Sequence, residues 1–226
     1  MTDYLNTVLF GIYPYLAAAI FLVGSLLRYE NDQFSWRSGS SEFLRKKHLL
    51  MGSNLFHAGI VMILLGHFAG LLTPPVVYHT FGLTAAMKQL LAIIVGGAAG
   101  TICLIGLALL IYRHAADARI RATSSRMDIF VLLLLAVQVL LGLASLPVSM
   151  SHMDGSQMLV LCEWAQRIVS MRGGAAQLIA GVHWIFKLHL FFGISLLAVL
   201  PFSRLVHIWS VPVGYLTRAY QIVRRR

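Results

Sequence analysis

Residues 49–72 read LLMGSNLFHAGIVMILLGHFAGLL, twenty-four positions whose only ionisable side chains are His57 and His67. At 1.5 Å per residue a helix of that length covers roughly 36 Å, enough to cross a hydrocarbon core of ~30 Å. The run opens after the basic cluster Arg45, Lys46, Lys47, His48 and closes at Thr73-Pro74-Pro75. An ionisable ring inside a bilayer is costly and tends to mark function, and here one helix carries two.

Working outward, four more apolar runs of spanning length are expected, at 4–27, 87–112, 128–147 and 182–209. The chain is 58% hydrophobic and 12% charged, with a mean hydropathy of +0.78. Soluble domains carry about twice that charged fraction, so a single all-α membrane domain of five transmembrane helices over 1–226 is the predicted fold. The formal net charge of +10 would suggest nucleic acid in a soluble protein. Here the cations fall in short segments between apolar runs, so a lipid bilayer and no nucleic acid is the expectation. Cys103 and Cys162 lack metal-ligand or redox spacing and are read as structural. The N-terminus lacks the basic lead-in of a cleavable signal, and its apolar run is long enough to span.

Lys and Arg set the orientation. One set of segments holds Arg28, Arg37, Arg45, Lys46, Lys47, Arg113, Arg119, Arg121, Arg126, Arg218 and the terminal Arg224-Arg225-Arg226. The opposite set holds Lys88, Arg167 and Arg172. The positive-inside rule then places the N-terminus periplasmic and the C-terminus cytoplasmic, with a basic tail at 210–226. The one sizeable outer loop, 151–180, contains LCEWAQRIVSM (161–171), whose amphipathic pattern predicts a short interfacial helix.

Helix five carries His189 and His207. It runs antiparallel to helix two, so topology alone pairs His57 with His207 toward the cytoplasm and His67 with His189 toward the outside. Two imidazole pairs at two depths are what two six-coordinate haem b groups require. His189 and His207 are eighteen residues apart, five whole turns, and share a face; His57 and His67, ten apart, miss a common face by about 80°. His183 points elsewhere. The rises disagree, ~15 Å against ~27 Å, which on ideal helices separates the irons by roughly 20 Å with tilted rings. Pro201 is placed to bend helix five and absorb part of that difference. Any one of these histidines could instead be a hydrogen-bonded packing residue. Zinc fits less well, because no Cys or carboxylate joins them at ligand spacing. Gly52, Ser53, Gly66, Gly70 and Gly193 would admit a flat macrocycle, and would equally serve close helix packing.

The stretches SNLFHAGI (53–60), GHFAGLLTP (66–74), HMDGSQM (152–158), FKLHL (186–190) and PFSRLVHIWSVPVGYLTR (201–218) resemble the gamma subunit of membrane-bound respiratory nitrate reductase, a membrane cytochrome b. The resemblance runs from IYPY (12–15) to YLTRAYQ (215–221), nearly the whole chain. It implies a di-haem bundle in the bacterial cytoplasmic (inner) membrane. Such a bundle oxidises ubiquinol or menaquinol on the periplasmic side and passes electrons inward. The partners it implies are an iron–sulfur beta subunit and a molybdenum catalytic alpha subunit, with nitrate reduced in the latter. It assigns His67 and His189 to the outer haem and His57 and His207 to the inner one, with no metal beyond haem iron.

The family's quinol-pocket lysine corresponds to Lys88 in MKQ (87–89). Lys88, with Gly66 and His67 beside it, is expected to hydrogen-bond a quinol oxygen; the plainer reading is a lysine snorkelling to the outer interface. Arg37, Arg113, Arg204 and Tyr29 are candidate partners for the inner haem's propionates, although each Arg could serve only as a positive-inside anchor. The inner loop 28–48 and the basic tail suit docking of soluble subunits and suit anionic lipid equally. Two rivals stand. One is the membrane cytochrome b of a formate dehydrogenase or hydrogenase, against which HIWSVP (207–212) and the histidine order argue. The other is a haem-free transporter or membrane anchor, against which the lack of an inverted repeat argues.

Overall fold

The computed structural model describes residues 2–36 and 49–210. Arg37, the Arg45–His48 cluster and residues 211–226 of the basic tail lie outside the described residues. Among the described residues every regular element is helical. Five spans are long and apolar enough to cross a membrane: Asp3–Asn31, Leu49–Leu72, Ala85–Ala116, Arg126–Met150 and Trp184–Phe202. The chain is thus an all-α, multi-pass membrane protein, as its apolar runs predict.

The first span, α1, joins Thr2–Thr7, a π-helical stretch Val8–Ile12 and Tyr13–Asn31. The π segment turns the Phe10 carbonyl aside to accept the Trp164 indole N–H at 2.9 Å. Helix α2 is Leu49–Leu72 and α3 is Ala85–Ala116. The expected end of α3 at 112 is early. Tyr112, Arg113 and His114 end the apolar run without ending the helix, which stops at its Asp117 cap. At its start the Thr84 hydroxyl accepts from Met87 N at 3.2 Å. Helix α4, Arg126–Ala144, opens on a capping box formed by Ser125 and Asp128 and runs on into Leu146–Met150.

The loop 151–180 folds as α5, Ser156–Val169, where the amphipathic pattern predicts a helix, followed by Ala175–Ile179. Gly155, at φ +82°, starts α5 close against the Ala85 backbone, where a Cβ would lie 2.7 Å from a carbonyl carbon. Helix α6 is Trp184–Val199. The single span expected over 182–209 is corrected here: α-helix ends ten residues early. Pro201 has no N–H to donate to Leu197, so the chain tightens into 3-10 helix at Leu200–Phe202 and Ser203 is extended (φ −123°, ψ 177°). A second 3-10 segment, Arg204–Ser210, carries His207.

Packing is uneven. Helix α2 lies along α3, while α6 lies against α4 and α1; α2 and α6 do not pack along each other. The α2–α3 crossing is a glycine seam. A Cβ at Gly59 would fall 2.6 Å from Cys103 Cβ, and one at Gly106 would overlap the Phe56 backbone. Cys103 is fully buried in the cluster this crossing forms with Leu107 and Val139. A second core near the outer loop joins Phe10 of α1 to Trp164, Ile179, Ile185 and Phe186.

Candidate functional site

The four intramembrane histidines meet in two pairs, and they are the expected pairs. The His57 and His207 ring centres are 6.2 Å apart with ring planes at 59°. Those of His67 and His189 are 5.9 Å apart with planes at 43°. A metal–imidazole bond of about 2.0–2.1 Å on each side, plus the half-width of each ring, spans roughly 6 Å between ring centres. Both pairs have the separation that one metal held between two imidazoles requires.

Ring orientation adds to this. Nδ1 of His57 lies 2.7 Å from the Ser53 carbonyl, Nδ1 of His67 lies 2.8 Å from Ile63 O, and Nδ1 of His207 lies 2.5 Å from Arg204 O. An Nδ1–H donated to a backbone carbonyl leaves the Nε2 lone pair free for a metal, the usual orienting contact of a ligating histidine. His189 differs. Its Nδ1 is buried with no hydrogen-bond partner, and its Nε2 sits 3.5 Å from the Gln138 amide nitrogen. Gly142 makes room for this ring, since a Cβ there would stand 3.1 Å from His189 Cε1.

Among the described residues no group of three or more His, Cys, Asp or Glu side chains converges. Two imidazoles and nothing more is a poor set for a bare ion. It is the right set for a metal whose other four positions a macrocycle fills. The small residues differ in their surroundings. Gly52 packs against Gly106, Leu109 and Leu110, whereas Gly66 and Gly70 face open space, with no atom within 4 Å of where a Cβ would stand. Gly193 lies against the Gln138 amide. His183 caps α6, its Nδ1 accepting from Ile185 N, and joins neither pair.

Lys88 is half-buried. Its Nζ lies 4.5 Å from the centre of the Tyr78 ring, donates to Thr73 O at 3.4 Å and approaches Cys162 Sγ at 3.8 Å. Cys162 donates in turn to Gly70 O at 3.3 Å, and Gln166 to Leu71 O at 3.1 Å. Together these groups satisfy the last carbonyls of α2 and place a cation at the negative end of its dipole. Burial pushes the Cys162 thiol up, against the opposing pull of Lys88. The adjoining cavity, bounded by Thr73, Tyr78, Cys162 and Gln166, is about 20 Å³, room for one water.

The expected propionate partners separate. Arg113 is buried, 6% exposed, where a simple interfacial anchor would face outward. Arg204 makes a two-pronged ion pair with Asp128, Nε to Oδ1 at 2.6 Å and an Nη to Oδ2 at 2.7 Å. Tyr29 is exposed and edge-on to Trp36. Arg28, which the charge pattern marks only as a positive-inside cation, turns inward to the Pro201 and Ser203 carbonyls at 2.6 and 2.8 Å. No sequence signal distinguishes it from its neighbours, because its partners are backbone atoms 173 and 175 positions away.

The chain matches the family model "Nitrate reductase gamma subunit" over residues 6–226. It is 51% identical over 224 residues to the respiratory nitrate reductase 1 gamma chain of Escherichia coli K12, covering 99% of each chain. It is 47% identical over 226 residues to the respiratory nitrate reductase 2 gamma chain of the same strain, covering 100% of each. To the nitrate reductase gamma chain of Bacillus subtilis 168 it is 40% identical over 219 residues, covering 97% of this chain and 98% of that one. The two histidine pairs, the five spans and these matches lie on one continuous chain, which belongs to the nitrate reductase gamma subunit family.

Proposed function

We propose that this subunit is the di-haem cytochrome b of a respiratory nitrate reductase in the bacterial cytoplasmic membrane, and that it carries electrons from quinol on the periplasmic side to the cytoplasmic side. The observation that carries the reading is the pairing of four histidines into two sets with ring centres 5.9 and 6.2 Å apart. The relatives' printed names supply the complex. Its iron–sulfur beta and molybdenum alpha subunits would dock on the inner face, around loop 28–48 and the basic tail.

In this reading His67 and His189 would hold the outer haem, and His57 and His207 the inner one. When bound, the two haems supply one-electron carriers at two depths. The protein's part is orientation. Backbone carbonyls fix three of the four imidazoles with Nε2 presented, and the apolar walls of α2 and α6 keep water away. Arg113, buried near the end of α3, and Arg204, paired with Asp128, are the described propionate candidates. Lys88 would meet a quinol oxygen at the outer end by exchanging its long contacts to Thr73 and Cys162 for it, with Gly66 lining the approach. Both protons of the quinol would leave outward, so inward electron transfer alone charges the membrane.

Reduced-minus-oxidised spectra with pyridine-haem quantitation test this on membranes carrying the wild type and His57→Ala, His67→Ala, His189→Ala or His207→Ala. The expected result is two b haems per chain, with each substitution removing one and the members of a pair behaving alike. A wild type without b-type bands would leave a haem-free anchor. Lys88→Ala is expected to lower quinol-driven nitrate reduction at least tenfold while dye-driven reduction stays intact. Equal loss of both would remove Lys88 from the quinol site.

A further inference from the structure

The helix break before His207 leaves carbonyls outside the α-helical ladder. Pro201 O lies in the 3-10 turn and Ser203 is extended, its carbonyl taking only a long i to i+3 bond from Val206 N at 3.4 Å, so neither is held by a regular i to i+4 bond. Polar backbone groups turned loose at membrane depth need partners, or the break would not keep one shape. Arg28 supplies them. One Nη donates to Pro201 O at 2.6 Å and to Ser203 O at 2.8 Å; the other Nη donates to Ser35 O at 2.8 Å, and Nε to Ser35 Oγ at 3.1 Å. A guanidinium is a rigid planar fork, so fixing one edge on Ser35 fixes the direction of the other.

We infer that Arg28 is the positioning residue of the inner histidine pair, holding the broken end of α6 in the course that carries His207 to His57. The inference rests on reading those two histidines as one axial pair. The segment that Arg28 aims is anchored to α1 at two further points. Trp209 stacks on Phe21 with ring centres 5.0 Å apart, and its indole N–H lies 3.3 Å from Ser25 Oγ. Val206, just before His207, is fully buried. The His207 ring, only four residues past Ser203, is then locked by Nδ1 on Arg204 O. Movement of the Pro201 and Ser203 carbonyls therefore passes almost undamped into the imidazole. The outer pair has no such arrangement, because His67 and His189 both sit within regular α-helix. Ser35 closes the short 3-10 turn Gln33–Ser35 at the entry to the loop 28–48, so the same guanidinium ties the face where soluble subunits would dock to the ligand segment.

The test uses the assembled complex in membranes, with Arg28→Gln, Arg28→Lys and His207→Ala beside the wild type. Haem b per chain and the low-spin ferric electron paramagnetic resonance signal of each haem are read, since that signal follows the mutual angle of the two axial rings. The expected result is a shift or loss of the inner signal alone in Arg28→Gln. Arg28→Lys, which keeps the charge and loses the fork, should move the same signal in the same direction. Both signals unchanged in Arg28→Gln, while His207→Ala removes one haem, would overturn the assignment of Arg28. Equal damage to both signals in the Gln and Lys variants would overturn it too, by making Arg28 a general bundle contact. Two haems retained in His207→Ala would sink the pairing itself, whatever Arg28 does.

Discussion

The two ends of the bundle solve the same problem in different ways. At the outer end His67 and His189 stand on unbroken α-helix, and the pair forms where antiparallel helices put it. At the inner end His57 stands on regular helix, but His207 lies on a 3-10 segment beyond a proline break, a salt bridge and the Arg28 fork. The ring separations come out nearly equal, 5.9 and 6.2 Å. A ten-residue ligand spacing on one helix can thus match an eighteen-residue spacing on another, provided the longer one changes direction. Regular helix fixes one pair at little cost; the second pair needs dedicated side chains.

The largest effect is expected from Gly106→Val. Its side chain would drive into the Phe56 backbone and force α2 off α3, at a cost of about 3 kcal/mol or more. Because α2 carries one histidine of each pair, both haems should be lost together in a pigment assay. Gly66→Val should separate the ends instead. Nothing lies within 4 Å of a Cβ there, so the protein should fold normally while the outer haem alone is excluded. Retention of both haems would mean that the open side of Gly66 is not where the macrocycle lies.

Pro201→Ala comes next. It restores an N–H for Leu197 and removes a helix penalty of about 3 kcal/mol, so α6 should extend and rotate His207 away from His57. A shifted inner resonance with an unshifted outer one is the expected readout. The smallest effect is expected from Asp128→Asn, which removes the Arg204 ion pair and weakens the α4 capping box. Arg204 is two-fifths exposed, so solvent screens the pair and the loss should be about 1 kcal/mol, seen as a few degrees of lower Tm in detergent.

The parts legible in the sequence were those governed by one periodicity. The five spans follow from uninterrupted apolar runs. The histidine pairs follow from antiparallel topology plus depth, and the helix in the outer loop from the amphipathic pattern of 161–171. What escaped depends on long-range or backbone partners. Pro201 announced a bend, but its direction is set by Arg28, whose role no local pattern carries. Gly52 and Gly66 look alike in sequence, yet one lies in the α2–α3 seam and the other opens to space. Lys88 read equally well as a snorkelling cation. Its contacts are with Tyr78 and Cys162, brought in from two other elements.

The seam between α2 and α3 also orders the assembly of the protein in time. These two helices form a tight hairpin from contacts within residues 49–116 and carry His57 and His67 from the moment they pair. Their counterparts, His189 and His207, lie within the last 38 residues of the chain, on elements that pack on α1 and α4 rather than on the hairpin. Translation proceeds from the N-terminus, so half of each site stands ready while the other half is still being made. On the proposed di-haem reading, neither site could close until the chain is almost complete, so haem capture would fall late in biogenesis and would serve as a checkpoint on a finished subunit.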